Sequence, residues 1–202
     1  QTGLEPNVIV IVATIRAMKY HGGKKVEDLN NEDLDALEKG FANLERHIEN
    51  CSQHYGLNLV VGINHFKTDT DEEIKLIQEK VEKLGFKAIL CSHWGEGSKG
   101  AELLAKEAIS LAEKPNQFKY LYDTKDSIKS KLNTIAQNIY RAKDVIFEDE
   151  ALSQLNVIED EYAHLPVCIA KTRYSFSGGA KEIGPVSGHT LSIRELRLAR
   201  RA

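Results

Sequence analysis

Two short loops carry the residue types best suited to holding a ligand. Asn64-His65-Phe66-Lys67-Thr68-Asp69-Thr70 follows one apolar run, Leu59-Val60-Val61-Gly62-Ile63. Cys91-Ser92-His93-Trp94-Gly95-Glu96-Gly97-Ser98-Lys99-Gly100 follows the next, Ala88-Ile89-Leu90. Each run reads as a buried strand, and each loop leads into a helical pattern. In a parallel sheet such strand ends open on one edge, where α/β folds bind their ligands. The spacing therefore sets Phe66 beside Trp94, the only tryptophan, at a crevice. Two such rings can hold a flat ligand between them. Spacing alone also allows them to cap the core, the usual fate of an aromatic ring. Their position in polar or glycine-rich loops just beyond the apolar runs argues for the ligand.

Other residues have the types for chemistry but not all have the pattern. Gly95-Glu96-Gly97-Ser98-Lys99-Gly100 matches the dinucleotide fingerprint G-x-G-x-x-G, and Asp123 ends the next apolar run. Against it, Ser92-His93-Trp94 separates the strand from the first glycine, and Glu96 would set a carboxylate beside a pyrophosphate. No G-x-x-x-x-G-K-[ST] segment occurs. His21, His65 and His93 lack zinc-ligand spacing, so no metal site is expected. Cys91 and His93 have the types of a nucleophile and its base, but neighbours on a strand end rarely face each other. Lys171-Thr172-Arg173-Tyr174-Ser175-Phe176-Ser177 offers hydroxyls and cations suited to an anionic or nucleotide ligand. The alternative there is an ordinary solvated loop.

The elements that must position these residues follow from periodicity. Asn7–Ala13 is continuous and β-branched, the mark of a strand covered on both faces. A turn at His21-Gly22-Gly23 and a polar stretch follow. A helix is expected from Asn31 to about Gln53, with Leu34, Leu37, Phe41, Leu44 and Ile48 on one face. After the Phe66 loop, Thr70 with Glu73 three residues on reads as a capped helix start, and that helix should run to Leu84. A strand at Phe86–Cys91, a helix at Gly100–Ala112 and a short aromatic strand at Phe118–Tyr122 come next. Helices at Ser127–Arg141 and Glu150–Tyr162 precede a strand at Leu165–Ala170, with Pro166 at its entry. A Gly/Ser-rich loop then leads to Thr190–Leu198, read as a half-exposed strand with a bulge. Strands alternating with helices give an α/β fold with a mainly parallel sheet and flanking helices.

Bulk properties narrow the classes. A chain of 202 residues with 42% hydrophobic and 28% charged content is ordinary for a soluble globular protein. A net charge of −3 gives no general attraction to nucleic acid or anionic membranes. Arg194, Arg197, Arg200 and Arg201 read as a solvated cluster rather than a nucleic-acid patch. Cys51, Cys91 and Cys168 form no disulfide framework. No apolar run approaches a membrane span and no signal peptide opens the chain. A cytoplasmic protein with no nucleic-acid or membrane partner is the expectation. A fully apolar strand close to residue 7 and a last strand closing on Arg200-Arg201-Ala202 suggest a fragment of something larger.

The order of motifs resembles one family, the formate–tetrahydrofolate ligases (10-formyltetrahydrofolate synthetases). The segments that carry it are Val10–Gly23, Asn43-Leu44-Glu45-Arg46-His47-Ile48, Asn64–Thr70, Phe118–Tyr122, Leu165–Thr172, Arg173–Ser177 and Thr190–Arg197. The resemblance implies an ATP-dependent ligase that joins formate to tetrahydrofolate through formyl phosphate, with Mg accompanying ATP in the full-length protein. It implies that Phe66 and Trp94 stack on the folate pterin and that Leu90 lines the same pocket. Asn64, Asp69 and Ser92 are candidates for contacts to the ring edges, and Lys171, Thr172 and Ser175 for the nucleotide. No catalytic residue is assigned. The implied fold is P-loop-NTPase-like and present only in part, because the family's P-loop lies upstream of this segment. The implied boundaries are 1–56 for the end of the nucleotide-binding domain, 57–164 for the folate-binding domain, and 165–202 for strands returning to the core sheet. A homo-oligomer, inactive as this chain alone, is the further implication. The sequence departs from the family at Lys67, where proline is common, and at Glu96 and Ser98. The Gly-rich continuation expected after Ala202 is also missing. Two alternatives stand beside this one: a non-catalytic binding or assembly module of the same fold, and a dinucleotide-binding oxidoreductase.

Overall fold

The structure, a computed structural model, describes residues 4–171, 176–179 and 182–199. These form two compact units. The larger comprises Glu5–Lys119 with Ile183–Pro185, and the smaller is built from the described residues of 120–182 and 186–199 with Leu4.

The larger unit holds a three-stranded parallel sheet of β1 (Val8–Ala13), β2 (Asn58–Asn64) and β3 (Ala88–Cys91), in that order. Its register runs from Val8 opposite Asn58 to Ala13 opposite Ile63, and then to Asn64 opposite Cys91. Side chains alternate across a strand. Ile9, Ile11 and Ala13, with Leu59, Val61 and Ile63, therefore meet one layer of helices. That layer is α1 (Ile15–His21), α2 (Leu34–Glu49) and α3 (Asp71–Lys83), which contribute Ile15, Met18, Leu37, Phe41, Ile48, Ile77 and Val81. The opposite face carries α5 (Glu102–Ala112), whose Leu104 sits against Gly62 where a larger residue would crowd it. The apolar run at Asn7–Ala13 predicts a strand covered on both faces. Instead Val10 and Val12 are exposed, Val12 by 67%, because α5 spans only part of that side.

Local chemistry sets the helix ends. Thr14 accepts a hydrogen bond from the Ala17 N–H and Asp33 accepts one from Ala36, capping α1 and α2. Thr70 and Glu73 form the full capping box expected from sequence. The helix α1, absent from the sequence reading, is seven residues long and too short to show a period. It crosses α2 where glycine allows backbone contact: a Cβ on Gly40 would lie 1.7 Å from the Met18 carbonyl oxygen, and one on Gly22 1.8 Å from that of Ala36. The helix α2 begins three residues later than expected and ends in a π-helical turn, Asn50–His54.

The smaller unit pairs β4 (Asp144–Phe147) with β5 (Thr190–Ile193) in parallel, beside α6 (Ile128–Asn138) and α7 (Asp149–Tyr162). Its own core includes Ile128, Leu132, Ala136, Val145, Leu155, Leu191 and Ile193. Three sequence expectations are corrected here. Phe118–Tyr122 and Leu165–Ala170 are not strands. The Tyr122 hydroxyl takes both the N–H and the carbonyl of Val167, at 2.9 and 3.2 Å, where a ladder neighbour would have been. The buried Lys131 ammonium holds the same region, donating to the carbonyls of Thr124, Ala163 and Leu165. Finally, β5 stops at Ile193 with no bulged continuation, while β4 is a strand the sequence reading lacks.

Candidate functional site

Both aromatic loops leave the C-terminal edge of the three-stranded sheet. The pairing of β2 with β3 continues one residue beyond the strands, where the His65 N–H donates to the Cys91 carbonyl at 3.1 Å. The chain then turns tightly. The Phe66 N–H donates to Asp69 Oδ2 at 2.8 Å, and the Asp69 N–H returns to the Phe66 carbonyl at 2.9 Å. This closed turn feeds directly into the Thr70 cap of α3, so Phe66 stands on a fixed backbone and is 38% exposed.

The Trp94 loop is equally constrained. It is a single helical turn, α4 (His93–Glu96), followed by a 3₁₀ stretch, Gly97–Ala101. The Ser92 N–H donates to the Gly100 carbonyl at 3.1 Å, and the Ser92 hydroxyl donates to Glu96 at 2.5 Å. Gly100 packs so closely that a Cβ there would lie 2.5 Å from the His93 nitrogen. Gly100 therefore serves a backbone that folds onto itself, away from the strand end where the dinucleotide fingerprint needs its first turn. Trp94 is 78% exposed.

One cation joins the two loops, and a second lies over Phe66. Lys67, in the Phe66 turn, places its ammonium 5.7 Å from the centre of the Trp94 ring. Arg16, from the first turn of α1, places its guanidinium 5.7 Å from the centre of Phe66. Both distances lie within cation–π range. The arrangement is two exposed rings on rigid turns with positive charge at each, suited to a flat ligand that carries negative charge or polar edges. Sequence reasoning gave Arg16 and Lys67 no role. The one available signal was the position of Lys67 directly after Phe66.

The remaining candidates divide. Asn64 and Leu90 are half-buried at the strand ends, and Ser92 is half-buried beneath the Trp94 turn. Asp69 is buried, 8% exposed, with one carboxylate oxygen closing the Phe66 turn and the other without a hydrogen-bond partner. Burial is the main cause that raises its pKa. The Phe66 N–H and His65 oppose the rise, Glu73 adds to it and Lys19 opposes it. Among the nucleotide candidates, Lys171 belongs to the smaller unit, its ammonium 5.1 Å from the centre of the Tyr140 ring and its pKa lowered by burial. Thr172 and Ser175 lie outside the described residues.

Comparison with known proteins decides the family. All of residues 1–202 match the profile described as formate–tetrahydrofolate ligase. The chain belongs to the formate–tetrahydrofolate ligase family. Among relatives so named, that of Methylococcus capsulatus is 48% identical over 198 residues, covering 98% of this chain and 36% of its own length. That of Methylibium petroleiphilum is 46% identical over 204 residues with the same coverage. That of Limosilactobacillus reuteri is 48% identical over 196 residues, 96% of this chain and 35% of its own length. The chain thus spans about a third of the ligases it matches. Family membership leaves the dinucleotide alternative without support.

Proposed function

We propose that this chain is the acceptor-holding portion of an ATP-dependent ligase that joins formate to tetrahydrofolate. The reading is supported most by one observation: Phe66 and Trp94 stand exposed on rigid turns at neighbouring strand ends, linked by Lys67. Stacking between them fixes the plane of a pterin, with Leu90 as an apolar wall. Asn64 and Ser92 stand at the strand ends for the polar ring edges, while Asp69 keeps the Phe66 turn closed. In such a ligase ATP phosphorylates formate, and a folate nitrogen then attacks the acyl phosphate. Positioning and charge neutralisation supply most of the catalysis in reactions of this kind.

The nucleotide half of the reaction is carried mostly by sequence outside this chain. Lys171, Thr172 and Ser175 are proposed to reach the nucleotide. Among the described residues no three His, Cys, Asp or Glu side chains are placed to hold a metal ion. Mg is proposed to accompany ATP in the full-length ligase. The P-loop-NTPase-like fold, the 1–56, 57–164 and 165–202 division and a homo-oligomeric assembly complete the proposal. No helix of the described residues is long and apolar enough to cross a membrane.

The test uses the full-length ligase that carries this segment, following formate-dependent ADP release. Trp94→Ala and Phe66→Ala should each raise KM for tetrahydrofolate, leaving KM for ATP and formate near wild type. Loss of one stacking ring costs about 1–3 kcal/mol, roughly 5- to 150-fold. An unchanged KM for tetrahydrofolate in both variants contradicts the proposal.

A further inference from the structure

Lys19 and Glu73 form an ion pair at 2.8 Å in which neither side chain is exposed. Stacking a flat ring does not require it. It is also a weak source of stability, since taking both charges out of water offsets their attraction and apolar replacements of similar volume are often as stable. Two of its bonds tie down the start of α2, and a third reaches the Phe66 turn.

Lys19 also donates to the Asn31 carbonyl at 3.0 Å, while Glu73 accepts from the Asp33 N–H at 3.1 Å. The other Glu73 oxygen accepts from the Thr70 N–H at 3.3 Å. Thr70 follows Asp69, whose carboxylate closes the Phe66 turn. At the other end, Lys19 lies about one helical turn after Arg16, the residue whose guanidinium covers Phe66. One buried bond therefore bolts α1 to the start of α3 and sets Arg16 in register with the ring. Hydrogen-bonded charges have a fixed geometry, whereas an apolar contact in the same place can slide.

We propose that Lys19–Glu73 is a positioning pair for the clamp, holding Arg16 over Phe66 and thereby setting affinity for the flat ligand. The proposal rests on Phe66 and Trp94 being a folate clamp.

Glu73→Gln alone would leave a buried ammonium unpaired and can unfold the chain. The variant of choice is the neutral double change Lys19→Met/Glu73→Gln, which keeps side-chain volume and lets the Gln carbonyl accept from the Thr70 N–H, at the loss of the Asp33 and Asn31 contacts. Tetrahydrofolate binding is measured by calorimetry and folding by thermal melting. The double variant should remain folded, melting within about 10 °C of wild type, and bind about tenfold more weakly. Arg16→Met should weaken binding in the wild-type background and add little in the double variant, because the two act through one contact. A folded double variant with wild-type affinity overturns the proposal. So does a double variant that fails to fold, which makes the pair a stability element, or an Arg16→Met effect equal in both backgrounds. Trp94→Ala measured alongside separates the two ideas. If it binds as tightly as wild type, the clamp itself is wrong. If it loses binding while the double variant does not, only the positioning role fails.

Discussion

Trp94 leaves most of its ring in water, although burying an aromatic side chain is among the larger gains open to a fold. Its turn is closed by backbone and side-chain bonds that hold the ring outward, and the same is true of Phe66. Asp69 shows what this arrangement costs: a buried carboxylate satisfied on one oxygen only. Because burial raises its pKa, the folded chain binds its proton more tightly than the unfolded chain does. Between the ordinary carboxylate pKa and the raised value the native state carries the extra proton, so this residue makes stability fall as pH rises through that window. Asp69→Asn keeps an oxygen for the Phe66 N–H and removes the titration. Melting temperature measured from pH 3 to 7 should therefore show the variant gaining on wild type as pH rises. A constant difference across that range would mean that Asp69 is not the titrating group.

At the scale of elements, the site depends on how α1 lies across α2. Gly22 and Gly40 let the two backbones touch, and α1 carries both Arg16, whose guanidinium lies over Phe66, and Lys19, which pairs with Glu73 of α3. Gly40→Ala forces the Met18 carbonyl to move. The expected cost is about 1–3 kcal/mol, typical of an overpacked core, read as a lower denaturant midpoint. A stability within about 0.5 kcal/mol of wild type would mean the crossing is looser than the structure shows. Much of this unit was legible in sequence. The β2 and β3 runs, the α2 stripe and the Thr70–Glu73 box each use a local signal, and together they place Phe66 and Trp94 on one sheet edge. The helix α1 was not legible, because seven residues hold fewer than two periods beyond Thr14. The strand expected at Leu165–Ala170 failed for a different reason. An apolar run predicts burial and a ladder, but Leu165, Pro166, Cys168 and Ala170 are exposed, and Val167 bonds the Tyr122 hydroxyl rather than a neighbouring strand. The cations Arg16 and Lys67 depend on packing of distant segments, and the buried Lys19–Glu73 pair lies 54 residues apart in sequence.

The molecule as a whole is a member of the formate–tetrahydrofolate ligase family spanning about a third of the relatives' length. Within its larger unit, the proposed clamp and the residues around it come from α1, α3, α4 and the ends of β2 and β3. That continuity lets the account be tested on this chain itself. Trp94 is its only tryptophan, so its fluorescence reports directly on one jaw. Titration with tetrahydrofolate should change that emission saturably, with one ligand per chain, and Phe66→Ala should weaken the midpoint about 5- to 150-fold. An emission unchanged by tetrahydrofolate, or a Phe66→Ala midpoint equal to wild type, would contradict the clamp.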